Sequence, residues 1–312
     1  MSSGHAHSHH GHHAHGHHHH HHHGPPAQGD RRWLIGVALN GGFVIAEAAA
    51  GIAGHSMALL ADAGHNLSDV LALAMAGGAA WLARRPTGPR RTYGFGKATV
   101  LAALGNAVVL VFACGYIASE AIGRFSAPSA PASSLMIGVA LAGILVNGVT
   151  ALLFLRGREH DLNVRSAFLH MAADAAISAG VAIAGGMIIL TGQSWIDPAA
   201  SLLILVIILY GSWGVLKEAF DLALDSAPAS LDMEEVRAFL AECPGVSAVH
   251  DLHVWPLSTT ETALTAHLVR ADGGGDEFLK SVCRELSHRF RIGHATLQVE
   301  TLSMEACEEL HA

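Results

Sequence analysis

Six apolar segments lie between Trp33 and Phe220, at about 33–53, 57–83, 99–123, 133–155, 162–191 and 195–219. Each is near the roughly 20 residues that a helix needs to cross a bilayer. Backbone in hydrocarbon must satisfy its own polar groups, so the chain is expected to fold there as an all-α bundle of six transmembrane helices. With 51% hydrophobic and 14% charged residues over 312 positions, the composition excludes an ordinary soluble domain, and the polar ends read as appendages to a membrane core.

Cationic residues flank these segments unevenly. Arg31, Arg32, Arg84, Arg85, Arg90, Arg91, Lys97, Arg156, Arg158, Arg165 and Lys217 fall on one side, and Arg124 alone on the other. The positive-inside rule then puts both termini in the cytoplasm. Residues 1–32 carry His, Gly and Pro where a secretory signal would have an apolar stretch, so the first membrane helix is expected to act as its own insertion signal. Compactness and short loops point to a bacterial inner membrane. The net charge is -8 with histidine neutral, and no basic face for nucleic acid is evident. Cys114, Cys243, Cys283 and Cys307 are scattered without a CxxC pair, which argues for reduced thiols.

Residues 1–30 hold 14 of the 24 histidines, including the run from His17 to His23. Their Gly/Ala/Ser background cannot build a core, so this cytoplasmic tail is expected to be disordered and to collect metal through imidazole. A six-helix transmembrane domain is expected over 31–222. Residues 228–312 change character: a helix near Met233–Glu242, alternating strands near Val246–Trp255 and Glu261–Val269, a helix near Asp276–Phe290 and a strand near Ala295–Thr301. That order predicts a small α+β cytoplasmic domain of the ferredoxin-like, metallochaperone-like kind.

Ionisable groups at bilayer depth cost roughly 2.5–3.5 kcal/mol each, so they persist where they have partners or work to do. The second segment reads LLADAGHNLSDV and the fifth SAFLHMAADAAIS. His65 and Asp69 are four residues apart, as are His170 and Asp174, so in helices each pair lies on one face. Together the two faces offer two imidazoles and two carboxylates, a donor set suited to tetrahedral zinc; magnesium or calcium would favour more oxygens. The competing reading is two separate polar pairs that hold helices together. Asp62 either supports this face or sits in water at a helix end, and Asn40, Glu47, Asn106, Asn147 and Asp197 read as inter-helix hydrogen-bonding groups.

With LLADAGHNLSD, YGFGK at 93–97, HMAAD at 170–174, WIDP at 195–198 and HDLHVW at 250–255, the chain resembles the cation diffusion facilitator family, specifically its zinc-transporting members. The resemblance implies a homodimer with six membrane helices per subunit that exchanges cytoplasmic divalent metal for external protons. His65, Asp69, His170 and Asp174 match the family's transport-site positions. His250, His267 and Glu300 match positions that hold regulatory metal in relatives, with Gln298 where a histidine would strengthen that set. Cys307, His311 or the histidine tail could complete it. His253 is expected on the opposite face of its strand. The loop RRPTGPRRTYGFGK has no His or Asp, so the resemblance implies no metal there, and Ala98 and Thr99 stand where relatives carry an acidic residue.

The function expected is proton-coupled zinc efflux by alternating access, with cadmium and cobalt as further candidate cargo. Protons compete for the same imidazoles and carboxylates that bind the metal. The alternative is a membrane-anchored zinc sensor or storage protein. An intramembrane zinc hydrolase lacks an HExxH signature.

Overall fold

The computed structural model describes the backbone of residues 31–127, 130–154 and 162–301. The histidine-rich tail, Cys307 and His311 lie outside the described residues, as does the side chain of Asn40. Six long helices come first: α1 (Arg31–Ala53), α2 (Met57–Ala83), α3 (Lys97–Ser126), α4 (Ser133–Phe154), α5 (Leu162–Thr191) and α6 (Ile196–Ala223). Five of them contain stretches long and apolar enough to cross a membrane. In α1 the apolar part whose side chains are described, Gly41–Ala53, is shorter. Broad exposed apolar surfaces, with Phe112, Leu190 and Tyr210 among the most open, fit a multi-pass membrane protein whose outer face meets lipid.

Local chemistry sets several helix ends. The Ser56 hydroxyl accepts from the Leu59 amide at 3.3 Å and caps α2. At the far end of α5, Gly192 takes φ +69° and its amide donates to the Ile188 carbonyl at 2.8 Å, a left-handed stop that glycine adopts without penalty. Within the bundle α4 runs along α5, α2 along α3, and α3 along α6, while α1 bridges α2 and α4. Small residues permit these approaches: a Cβ on Gly143 of α4 would stand 2.8 Å from both Phe43 of α1 and the Ser178 hydroxyl of α5. Helices α2 and α5 touch over a short stretch only.

Residues 233–300 form α7 (Met233–Ala241), β1 (Ala248–Pro256), β2 (Thr262–Val269), α8 (Gly275–Phe290) and β3 (Ile292–Glu300). Asp232 caps α7 by accepting from the amides of Glu234 and Glu235. The sheet order is β1-β2-β3, antiparallel between β1 and β2 and parallel between β2 and β3. This is the ferredoxin-like order without its first strand, so β3 fills the vacant slot beside β2. Val236, Leu240, Leu264, Leu268, Val282 and Leu286 build the core on one face of the sheet. Residues of the other face remain for polar work.

The two parts meet at the α2–α3 loop. The Thr259 amide donates to the Thr99 hydroxyl at 3.0 Å and Tyr93 stands edge-on to His294 with ring centres 5.3 Å apart, while Lys97 pairs with Asp225 just past the end of α6. Gly96 has no room for a side chain, because a Cβ would lie 2.5 Å from the Leu257 carbonyl oxygen. We predict that Gly96→Ala pushes the 257–260 loop away. Losing a hydrogen bond worth about 1 kcal/mol should then speed hydrogen exchange at the Thr259 amide by roughly fivefold.

Candidate metal centre

His65 and Asp69 project from one turn of α2, and His170 and Asp174 from one turn of α5. The short α2–α5 contact brings all four together. His65 Nε2 is 3.8 Å from Asp69 and 3.5 Å from Asp174; His170 Nε2 is 3.2 Å from Asp69 and 3.6 Å from Asp174. Each imidazole thus faces one carboxylate of its own helix and one of the other. Four donors at about 2.0–2.2 Å from a central ion stand about 3.3–3.6 Å apart in a tetrahedron, which is close to this spread. The two rings are edge-on, with centres 6.1 Å apart.

Asp174 is fully buried, and neither of its oxygens has a hydrogen-bond donor among the described residues. Its neighbours are the two imidazoles at the longer distances just given. A buried carboxylate in that state is expensive unless a cation answers its charge. His65 Nδ1 is likewise buried with no hydrogen-bond partner among the described residues. The donor set, its size and the orphaned oxygens all suit a dehydrated divalent cation bound through nitrogen and oxygen.

The polar residues around this centre divide by what satisfies them. Asp62 is fully buried, which removes the reading of a helix-end group in water. It does not support His65 directly; its oxygens accept from Asn66 Nδ2 at 3.4 Å and from the Ser178 hydroxyl at 3.0 Å. Asn66 also donates to Glu47 of α1 at 3.3 Å, so Glu47 is an inter-helix group as its position suggested. Asn147 is buried with no hydrogen-bond partner at either side-chain atom among the described residues, and Asn106 Oδ1 is similarly unpaired. Sequence reading overlooked Asn66 and Ser178. Ser178 follows Asp174 by four residues and so shares its face, a signal that was available.

Asp197 has a different task. It accepts from the Ser56 hydroxyl at 2.7 Å and from the amides of Met57 and Ala58 at 2.6 and 3.2 Å. A carboxylate from α6 therefore closes the positive end of α2, whose first amides have no intrahelical partners.

A second cluster lies on the open face of the sheet. His250 and His267 are cross-strand partners, and Val269 pairs with Glu300 on β3. Glu300 Oε2 is 3.1 Å from His250 Nε2, and Oε1 is 3.0 Å from His267 Nδ1. These three residues could hold a metal ion. Gln298 donates to Glu300 at 3.0 Å, orienting the carboxylate in place of adding an imidazole.

The strand alternation misplaced His253. A bulge between His250 and His253 leaves His253 opposite Thr265 and His250 opposite His267, so both histidines fall on the same face. The bulge also turns Asp251 to φ +51°, and its carboxylate reaches His253 Nε2 at 2.8 Å and His267 Nε2 at 3.5 Å. Of the described cysteines, Cys114, Cys243 and Cys283 are unpaired thiols, and burial pushes the Cys243 thiol up.

A polytopic helical membrane protein with imidazole–carboxylate pairs between two of its helices and a small α+β domain at its C-terminal end is the architecture of a metal-ion transport protein. Residues 33–222 match the model of the cation efflux transmembrane domain, and residues 228–302 that of the cation efflux protein cytoplasmic domain. The chain belongs to the cation efflux, or cation diffusion facilitator, family. It is 36% identical to the cation efflux system protein CzcD of Alcaligenes sp. (strain CT14), covering 100% of this chain and 93% of that protein. It is 38% identical to the zinc transporter ZitB of Escherichia coli K12, over 88% and 89% of the two chains. With the cadmium, cobalt and zinc/H(+)-K(+) antiporter of Bacillus subtilis it shares 33% identity, over 86% and 88%.

Truncating Asp197 would strand buried donors at the start of α2. Asp197→Ala should cost about 2–4 kcal/mol, read as a lowered unfolding midpoint of the detergent-solubilised protein.

Proposed function

We propose that this protein exports zinc from the cytoplasm in exchange for protons, with cadmium and cobalt as further candidate cargo. The observation that carries this reading is the centre of His65, Asp69, His170 and Asp174, in which Asp174 is buried with no hydrogen-bond donor among the described residues. The names of the relatives, a zinc transporter, a cation efflux system protein and a cadmium, cobalt and zinc antiporter, support the same reading. Zinc is the cargo here, held by neutral imidazole and ionised carboxylate. As pH falls, protons take those donors and the metal leaves. One set of ligands then couples two ions, provided that the site opens to one side at a time. Because α2 and α5 touch over a short stretch, small movements between them would open and close the set.

The rest of the proposal follows the division of the chain. The tail of residues 1–30 collects metal, residues 31–222 carry it, and residues 228–312 regulate. The protein works as a homodimer in a bacterial inner membrane, with both termini cytoplasmic. His250, His267 and Glu300 hold regulatory metal, and Asp251 supports His267 in the way that outer carboxylates orient ligating imidazoles. Metal in this site biases the transport domain only insofar as its affinity differs between the two access states.

Liposome flux tests the proposal. Native protein should move zinc down an imposed pH gradient, whereas His65→Ala, Asp69→Ala and Asp174→Ala should each lower zinc affinity by at least the roughly 10–100-fold that outer-shell changes cost. Flux that survives all three variants moves the pathway elsewhere. No flux from folded native protein favours a membrane-anchored sensor or storage role. Equilibrium zinc binding to the native chain should weaken as pH is lowered from neutral, and binding that is flat with pH would break the coupling. In a chain lacking residues 1–30 and carrying Asp69→Ala and Asp174→Ala, the further change Glu300→Ala should remove most of the remaining high-affinity zinc binding in calorimetry.

A further inference from the structure

We propose that the turn between α2 and α3 is a binding site for the phosphate headgroup of an anionic phospholipid in the surrounding bilayer. The segment RRPTGPRRTYGFGK contains five cationic residues and no acidic one. Gly88 and Arg91 exchange backbone hydrogen bonds of 3.1 and 3.0 Å, which closes a tight turn and puts Pro89 and Arg90 at its tip. Arg84, Arg85, Arg90 and Arg91 are all exposed, and none forms an ion pair with a described residue. Lys97 is the exception in this segment, being taken by Asp225.

Two of the four guanidinium groups are held in place without being neutralised. Arg85 stacks over Trp81, and Arg91 over Phe95, each 4.4 Å from the ring centre. Stacking uses the flat face of a guanidinium and leaves its N–H edges free to fork onto phosphate oxygens. Trp81 is 61% exposed at the last turn of α2, where an indole suits the headgroup level. The site thus joins an interfacial aromatic, two oriented forks and two further cations at the place where a membrane helix ends. The whole chain is acidic, so attraction to an anionic surface has to be local, and each arginine near such a surface strengthens binding by roughly fivefold. The turn is continuous with the segment that contacts the α+β domain through Tyr93 and Thr99, so its occupant would sit beside the junction of the two parts.

Retention of lipid by the detergent-solubilised full-length chain tests this. Phosphatidylglycerol and phosphatidylcholine are added in equal amounts, and bound lipid is counted by native mass spectrometry. The native chain should retain phosphatidylglycerol in preference. Changing Arg84, Arg85, Arg90 and Arg91 together to Gln should lower that retention by at least about tenfold, with phosphatidylcholine unaffected. The corresponding Arg→Lys set keeps the charge but not the fork and should fall between the two. Neutralising Arg237 and Arg289 of the α+β domain should change nothing. Three results would each overturn the proposal: equal retention by the native chain and the Gln set, equal loss in the Lys and Gln sets, or full displacement of the lipid by inorganic phosphate, which would mark a site for free phosphate.

Discussion

A charge inside a bilayer has to be answered by something within reach, because neither water nor lipid tails will do it. Asp62, Asp174, Asp197 and Glu47 are all buried in the helical bundle, and each is answered differently. Asp197 receives a hydroxyl and two helix-end amides, so its charge is spent on fixing α6 to α2. Asp62 and Glu47 share the amide of Asn66, with Ser178 adding a hydroxyl to Asp62, which ties α1, α2 and α5. Asp174 alone among these four has no hydrogen-bond donor at either oxygen among the described residues. Each framework carboxylate has at least one donor from within the bundle, while the carboxylate beside the two imidazoles has none among the described residues.

This division links stability to function. Hydrogen bonds from fixed donors can be made once and kept, so they suit a scaffold. Long contacts from carboxylate to imidazole leave a gap, which in the proposed exchange a metal ion or protons would fill by turns. The small α2–α5 contact serves the same end, since α5 is packed mainly on α4 and α2 on α3. The donor set is thus divided between two groups of helices that touch each other over a short stretch.

The α+β domain repeats the principle in water. One face of its sheet is a core of Leu264, Leu268 and their neighbours; the other gathers His250, His267 and Glu300 from three strands. There the bulge at residues 250–253 matters more than any single side chain. It adds one residue to β1, brings His253 to the polar face and turns Asp251 toward His267.

The sequence by itself determined the helices, their approximate limits, the order of elements in the α+β domain and the two four-residue His–Asp pairs, because each of these depends on composition and on periods of 3.6 or 2 along a single segment. It also marked Glu47 and Asp197 as polar groups between helices. Only the tertiary structure decided which helices those groups join, that Asp62 is buried and bonded to Asn66 and Ser178 and not to His65, and that His253 shares a face with His250. The reason is physical: a period specifies which face of an element a residue occupies, whereas a bulge, a helix end or a close approach at glycine specifies what that face meets. Those contacts are made by residues far apart in the chain, and no single segment carries them.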